Sequence, residues 1–312
     1  MSDAKTMPFT VEPLKEGMPY GLIVHGLRAE HLADDAVRER LRRYWIQDGV
    51  VVFKDGDCNE DFLVELSQVF GPLEVHPMKE TVNQRRPELI TIFSKPGENS
   101  IFEVEGEKGA NWLGWHSDLT YVERINHGGI LRALTPSKDG GLTGFIDQVT
   151  AYETLPDDLK AKIENLSVVY KMGGFEIYKY GYSGDLKIVH VSDFYRMIWD
   201  TADRYPPVAH PMVFVQPETG RKVLHISPFF AMHVEGMANE EGDALLKQLC
   251  DHILACPIYR HKWSTDELVL WDNWRVLHSV TPIPADQERI MQRTTIKGDY
   301  GLGRLAQLPK AA

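Results

Sequence analysis

Cysteine is scarce in this chain, and basic charge is in deficit. Of 312 residues only Cys58, Cys250 and Cys256 are cysteines. They form no CxxC pair and no zinc-finger spacing, which argues against a disulfide framework or a structural zinc site and for a reducing compartment. Lys and Arg number 34 against 45 Asp and Glu, a formal net charge of −11. That balance argues against a duplex nucleic-acid partner, which needs a basic footprint. An anionic ligand would have to be met by a local basic pocket rather than by the overall field. No run approaches the roughly eighteen apolar residues of a membrane span. The start, MSDAKTMPFT, lacks the basic and apolar segments of a signal peptide. The expectation is a cytoplasmic protein with no membrane or nucleic-acid partner. GxGxxG and GxxxxGK[ST] are missing too, and with them the usual nucleotide sites. No repeat, linker or low-complexity segment divides the chain, so a single domain over 1–312 is expected.

What is present is a strand-rich pattern with a few amphipathic helices. Val37, Leu41, Tyr44 and Trp45 follow helical spacing up to Gly49. A second helix is expected after Asn59, with Phe62, Leu63, Leu66, Val69 and Phe70 inward and Gly71-Pro72 as its stop. Between them, Val50-Val51-Val52-Phe53 reads as a buried strand. Further strands are expected at 89–93, 130–134, 142–146, 166–170, 212–215, 223–226, 258–263, 268–271 and 290–296. Helices interrupt them at 150–165, 194–203 and 239–254. Many short strands with flanking helices, and no βαβ alternation, predict a mainly β fold: two sheets in a cupin-like jelly roll, the double-stranded β-helix.

Two stretches carry candidate chemistry. In Trp115-His116-Ser117-Asp118 a histidine and an aspartate stand two apart, so on a strand both would face one small volume. With twelve histidines in the chain, an isolated His-x-Asp is a weak signal. The stretch ELVLWDNWRVLHSVTP adds His278 after an apolar strand and an Asp272-Asn273 turn pair. Together His116, Asp118 and His278 make a 2-His-1-carboxylate set, the arrangement that holds non-haem Fe(II) and leaves cis positions open for a 2-oxo acid and dioxygen. A zinc hydrolase uses similar ligands, so the triad alone does not fix the reaction. Arg289 and Arg293, on the last expected strand, are an even interval apart and share one face. Buried guanidinium groups are costly unless they meet carboxylate or phosphate, which favours an anion-binding interior over an edge blunted by charge.

With these residues assembled, the sequence resembles the taurine dioxygenase and 2,4-dichlorophenoxyacetate dioxygenase family of Fe(II)- and 2-oxoglutarate-dependent oxygenases. The resemblance rests on Trp115-His116-Ser117-Asp118, Gly140-Gly141-Leu142-Thr143, Ala151-Tyr152-Glu153, Trp271-Asp272-Asn273, His278, Arg289 and Arg293. It implies His116, Asp118 and His278 as iron ligands, and Thr143 with Arg289 on the distal carboxylate of 2-oxoglutarate. Arg293 and His76 would face the primary substrate. Lys79 and Trp112 stand where taurine-type members carry tyrosine and asparagine. That departure points away from taurine, toward a larger organic anion with an aromatic or alicyclic body, with Trp112 against it. The implied activity is hydroxylation, or cleavage through a hydroxylated product, with release of succinate and CO2. A homo-oligomer is compatible with this reading. A metal-dependent hydrolase and a non-catalytic binding protein on the same sandwich are the rivals.

Overall fold

A computed structural model describes residues 7–75, 82–298 and 300–307, the side chain of Glu176 excepted. The two early helices form where the spacing places them. Asp35–Asp48 starts at Asp34, whose carboxylate accepts from the Ala36 amide, and ends at Gly49 with φ 76°. Only glycine adopts that left-handed conformation without steric cost. Glu60–Phe70 is capped by Asn59, which accepts from the Phe62 amide.

Two antiparallel sheets organise the centre. The larger has seven strands, in the order Thr10–Pro13, Leu22–His25, Val50–Lys54, Leu268–Asp272, Gly128–Thr135, Arg289–Ile296, Leu89–Ser94. Its one parallel contact joins Leu22–His25 to Val50–Lys54. The smaller runs Ile258–His261, Thr143–Asp147, Val276–Val280, Leu113–His116. Strand alternation explains the continuous apolar run at Val50–Phe53. Val51, Phe53, Leu268 and Leu270 pack outward with the two early helices. Val50, Val52, Val269 and Trp271 point inward, where they meet Phe145 and Val276 of the smaller sheet. A strand buried on both faces reads as unbroken hydrophobic sequence. The outer face of the smaller sheet, through Ile146 and Leu277, packs on the Glu240–Leu254 helix via Leu245, Leu246, Leu249 and Ile253. The result is a mainly β, cupin-like architecture with helices on both outer faces.

Some expectations change in detail. The helix expected at 150–165 is two, Gln148–Thr154 and Asp157–Ile163, because Pro156 cannot continue a helix and pushes Leu155 into extended backbone. The next is cut to Asp193–Trp199, followed by a short 3-10 turn. All three cysteines are free. Among the described residues no helix is long and apolar enough to cross a membrane.

One corner connects the sheets. The chain leaves the larger sheet at Asp272 and re-enters the smaller at Val276. Fully buried Arg275 anchors this turn, donating Nε to Asp147 Oδ1 at 2.5 Å and Nη1 to the Ile46 and Gln47 carbonyls. Asp147 in turn caps the Gln148–Thr154 helix through the Thr150 amide and hydroxyl.

Candidate active site

His116, Asp118 and His278 converge: their ligand atoms all lie within 4.8 Å of one another. The histidines are register partners on neighbouring antiparallel strands of the smaller sheet, with ring centroids 4.2 Å apart. They meet side by side within one sheet. Asp118 departs from the expectation: the strand ends at His116, so the two side chains do not share a strand face. Asp118 sits in the turn that follows, where Leu119 takes φ 58°. A positive φ is uncommon for a residue with a branched side chain, and here it accompanies the bend that returns the carboxylate toward the histidines.

Two of the three ligands are aimed by a partner, while His278 Nδ1 is buried without one among the described residues. His116 Nδ1 donates to the Gly114 carbonyl at 2.7 Å, which leaves Nε2 as a lone-pair donor facing Asp118 Oδ1 at 3.8 Å. His278 Nε2 approaches the same oxygen at 3.6 Å. The other aspartate oxygen, Oδ2, accepts from Arg293 Nη2 at 2.8 Å. Burial pushes His116 down to about 3, with neighbouring His278 acting in the same direction. Burial works against the Asp118 carboxylate, yet the Arg293 guanidinium, foremost among its neighbours, holds it well below the ordinary carboxylate range. Two imidazole nitrogens and one carboxylate oxygen form a hard-to-borderline N2O donor set that suits Fe(II).

Arg289 and Arg293 both face inward from the Arg289–Ile296 strand, as their spacing predicted. They line a cavity of about 800 Å³ together with the triad, Thr143, Trp271 and Met291. Arg293 lies over the Trp271 ring, 5.0 Å from its centroid. Gly129 leaves room for it, since a Cβ there would come within 3.1 Å of Arg293 Nη2. Arg289 is different. Its Nε and Nη2 are buried without a hydrogen-bond partner among the described residues, and burial alone pushes its pKa down to about 10. An unmatched buried cation opening on a cavity is a site for an anion. Thr143 also lines the cavity, and its hydroxyl oxygen accepts from Trp263 Nε1 at 2.9 Å. With one lone pair engaged, its proton is available to a ligand.

Not every sequence candidate reaches the cavity. Trp112 is buried among Phe102, Val104, Phe175, Tyr178 and Phe229, and it is not among the side chains lining the cavity. It supports the wall from behind, because a large ring is held there by its aromatic neighbours. His76 and Lys79 lie outside the described residues. Sequence reasoning also missed two residues, Trp263 and Asn273. Trp263 bears on Thr143 only because the strand ending at His261, two residues before it, pairs with the strand that starts at Thr143. The Asp272-Asn273 pair was visible as a turn and as part of the resemblance, but without a role at the site.

The profile described as the taurine catabolism dioxygenase TauD, TfdA family matches residues 10–295. The (S)-phenoxypropionate/alpha-ketoglutarate-dioxygenase of Sphingobium herbicidovorans is 31% identical over 292 residues, covering 93% of this chain and 96% of that protein. An alkylsulfatase of Acinetobacter baylyi is 28% identical over 300 residues, covering 93% and 87%. Among solved structures, AAD-2 in complex with Mn(II) and N-oxalylglycine aligns with a TM-score of 0.70 at 25% identity, covering 95% of this chain and 100% of that one.

Proposed function

We propose that this chain, which belongs to the taurine catabolism dioxygenase TauD, TfdA family and is a non-haem iron, 2-oxoglutarate-dependent dioxygenase, oxidises an organic anion with an aromatic or alicyclic body. In this reading the whole chain is one double-stranded β-helix (jelly-roll) domain. His116, Asp118 and His278 hold the iron, and Arg289 with Thr143 takes the distal carboxylate of 2-oxoglutarate. The observation that carries the assignment is Arg289, a buried guanidinium without a partner on the same cavity as a complete 2-His-1-carboxylate set. A hydrolase at the triad gives no reason for the paired Arg289 and Arg293, and the dioxygenase reading does.

Iron, when bound, supplies activation of dioxygen coupled to decarboxylation of 2-oxoglutarate, with succinate and CO2 as products. The chain's own residues bind, orient and exclude water. Arg293 fixes one oxygen of Asp118 and leaves the other turned to the histidines. Leu131, Val280, Met291 and Trp271 give the cavity an apolar wall that limits water around the reacting groups. A cavity of about 800 Å³ is within the range that encloses drug-sized ligands, so it has room for a substrate beside a five-carbon diacid. Arg293 also lines that cavity, and we assign the substrate's anionic group to its remaining donors. Ile92, Phe93 and Phe194 at the rim would cover an apolar body. His76 is a substrate-side candidate by resemblance alone.

The test is a screen of aryloxy acids, alicyclic carboxylates, alkyl sulfates and sulfonates with anaerobically reconstituted Fe(II) protein, reading substrate-dependent succinate. Turnover of a bulky carboxylate is expected, and its loss in His116→Ala and His278→Ala. Taurine as the best substrate would overturn the pocket reading. Product formation without consumption of dioxygen and 2-oxoglutarate would overturn the reaction.

A further inference from the structure

The His116–Asp118 segment has a second feature that neither the metal nor the substrate explains. The ladder between the Leu113–His116 and Val276–Val280 strands ends at the His116–His278 rung. Beyond it no rung of this ladder takes in the backbone of Asp118 among the described residues. A side chain takes that place. Asn273 Oδ1 accepts from the Asp118 amide at 2.7 Å, and Asn273 Nδ2 donates to the Asp118 carbonyl at 3.0 Å. The amide engages both backbone groups of Asp118, as an antiparallel neighbour would. Asn273 is itself fully buried and fixed on three further sides. Its Nδ2 also reaches the backbone and side-chain oxygens of Asn126, each at 3.2 Å, and its own amide donates to the His127 carbonyl at 2.8 Å. Asn126 completes the chain by donating to the Gly128 carbonyl. On the other side of the segment, Ser227 accepts from the Ser117 amide at 3.0 Å.

We infer that Asn273 is a positioning residue for the metal site: its carboxamide clamps the Asp118 turn at the distance from His278 that the triad requires. The inference rests on the triad assignment above. Asn273 stands in the Asp272–Arg275 turn, directly ahead of the Val276–Val280 strand that carries His278. One turn and the strand that follows it therefore hold the third ligand directly and the second by proxy. Without the clamp, Asp118 lies in an unpaired turn next to a positive-φ leucine. The Arg293 contact to its carboxylate and the Ser227 contact to the preceding amide would remain, and neither engages the Asp118 backbone itself. A serine at 273 is too short to bridge both backbone groups. An aspartate can still accept from the Asp118 amide, but it cannot donate to the Asp118 carbonyl.

The experiment uses metal-free full-length protein titrated anaerobically with Co(II) against a competing chelator. Its readouts are the dissociation constant, the ligand-field bands and the thermal midpoint before metal is added. Asn273→Ser and Asn273→Asp are compared with Asn126→Ser, which disturbs the same buried network without touching Asp118, and with His278→Ala. Both Asn273 variants are expected to weaken Co(II) binding by roughly 10–100-fold and to shift its bands. Asn126→Ser should lower the thermal midpoint comparably while staying near the parent affinity. If Asn273→Ser does not fold, the near-isosteric Asn273→Asp carries the test. Parent-like Co(II) affinity in the Asn273 variants, with binding lost in His278→Ala, overturns the clamp and leaves the triad standing. Parent-like binding in His278→Ala overturns the triad itself, and the clamp with it.

Discussion

Arg275 at the corner between the sheets and Arg289 on the cavity wall are both buried arginines, and their surroundings are opposite. Arg275 donates to Asp147 and to two backbone carbonyls, with only Nη2 unpartnered. Burial opposes its charge, but Asp147 above all, then Asp272 and Asp48, outweigh that and raise its pKa above the ordinary value. Arg289 has burial and no such partner, and its pKa falls to about 10. The difference separates structure from function. A cation matched inside the chain holds the fold together, whereas one left unmatched at the edge of a cavity is kept for a ligand. Since folding gains nothing from the unmatched guanidinium of Arg289, its presence is explained by what binds there.

The sharpest way to break this comparison is to remove each arginine and measure stability. Arg275→Ala leaves Asp147 charged and buried without its partner, which costs about 3–5 kcal/mol. Urea unfolding of metal-free protein should show that loss, while Arg289→Ala should be neutral or slightly stabilising. Equal losses would mean that Arg289 is structural after all. The complementary measurement is cosubstrate affinity. Arg289→Ala removes a charge-assisted contact of about 2–5 kcal/mol, more than tenfold in the dissociation constant of 2-oxoglutarate. Anaerobic titration of the visible charge-transfer band of the iron chelate would report it, and an unchanged curve would move the carboxylate to another residue.

A smaller effect tests whether burial without a matching charge acts alike on another cationic group. His225 stacks on Trp274 with centroids 5.1 Å apart, and its Nε2 is buried without a partner. Burial first, then the neighbouring His210, pushes it down to about 3. Between the unfolded value of about 6.5 and the folded value, the unfolded chain binds the extra proton. Stability must therefore fall as pH drops through that window, by up to about 1.4 kcal/mol per pH unit for this group. His225→Phe should keep the stack and flatten the acid limb by up to one proton. Parallel slopes for variant and parent would show that His225 titrates equally in both states. The smallest effect concerns Trp263. Trp263→Phe keeps a ring beside His261 but removes the N–H that orients Thr143. We expect 2-oxoglutarate affinity to weaken by about 0.5–1.5 kcal/mol, the worth of one hydrogen bond, with little change in stability. No change would mean that the Thr143 hydroxyl is oriented by something else.

The sequence by itself determined a good deal. Hydrophobic alternation and cap residues located the early helices and ten of the twenty strands among the described residues, because those signals are local. Ligand chemistry singled out His116, Asp118 and His278, since two imidazoles and a carboxylate are an unusual set to bring together. The even interval between Arg289 and Arg293 was enough to put both on one strand face. Tertiary structure decided the rest. Asp118 leaves the strand, so its convergence on the histidines depends on a bend at Leu119 and on contacts from residues far along the chain. Trp112 turned from pocket wall to buried support because its buried neighbours come from three separate segments. Which buried arginine finds a carboxylate could not be read from spacing, because Asp147 reaches Arg275 across 128 positions. Local sequence fixes backbone conformation and facing, but the partner of a buried charge is set by how the sheets pack.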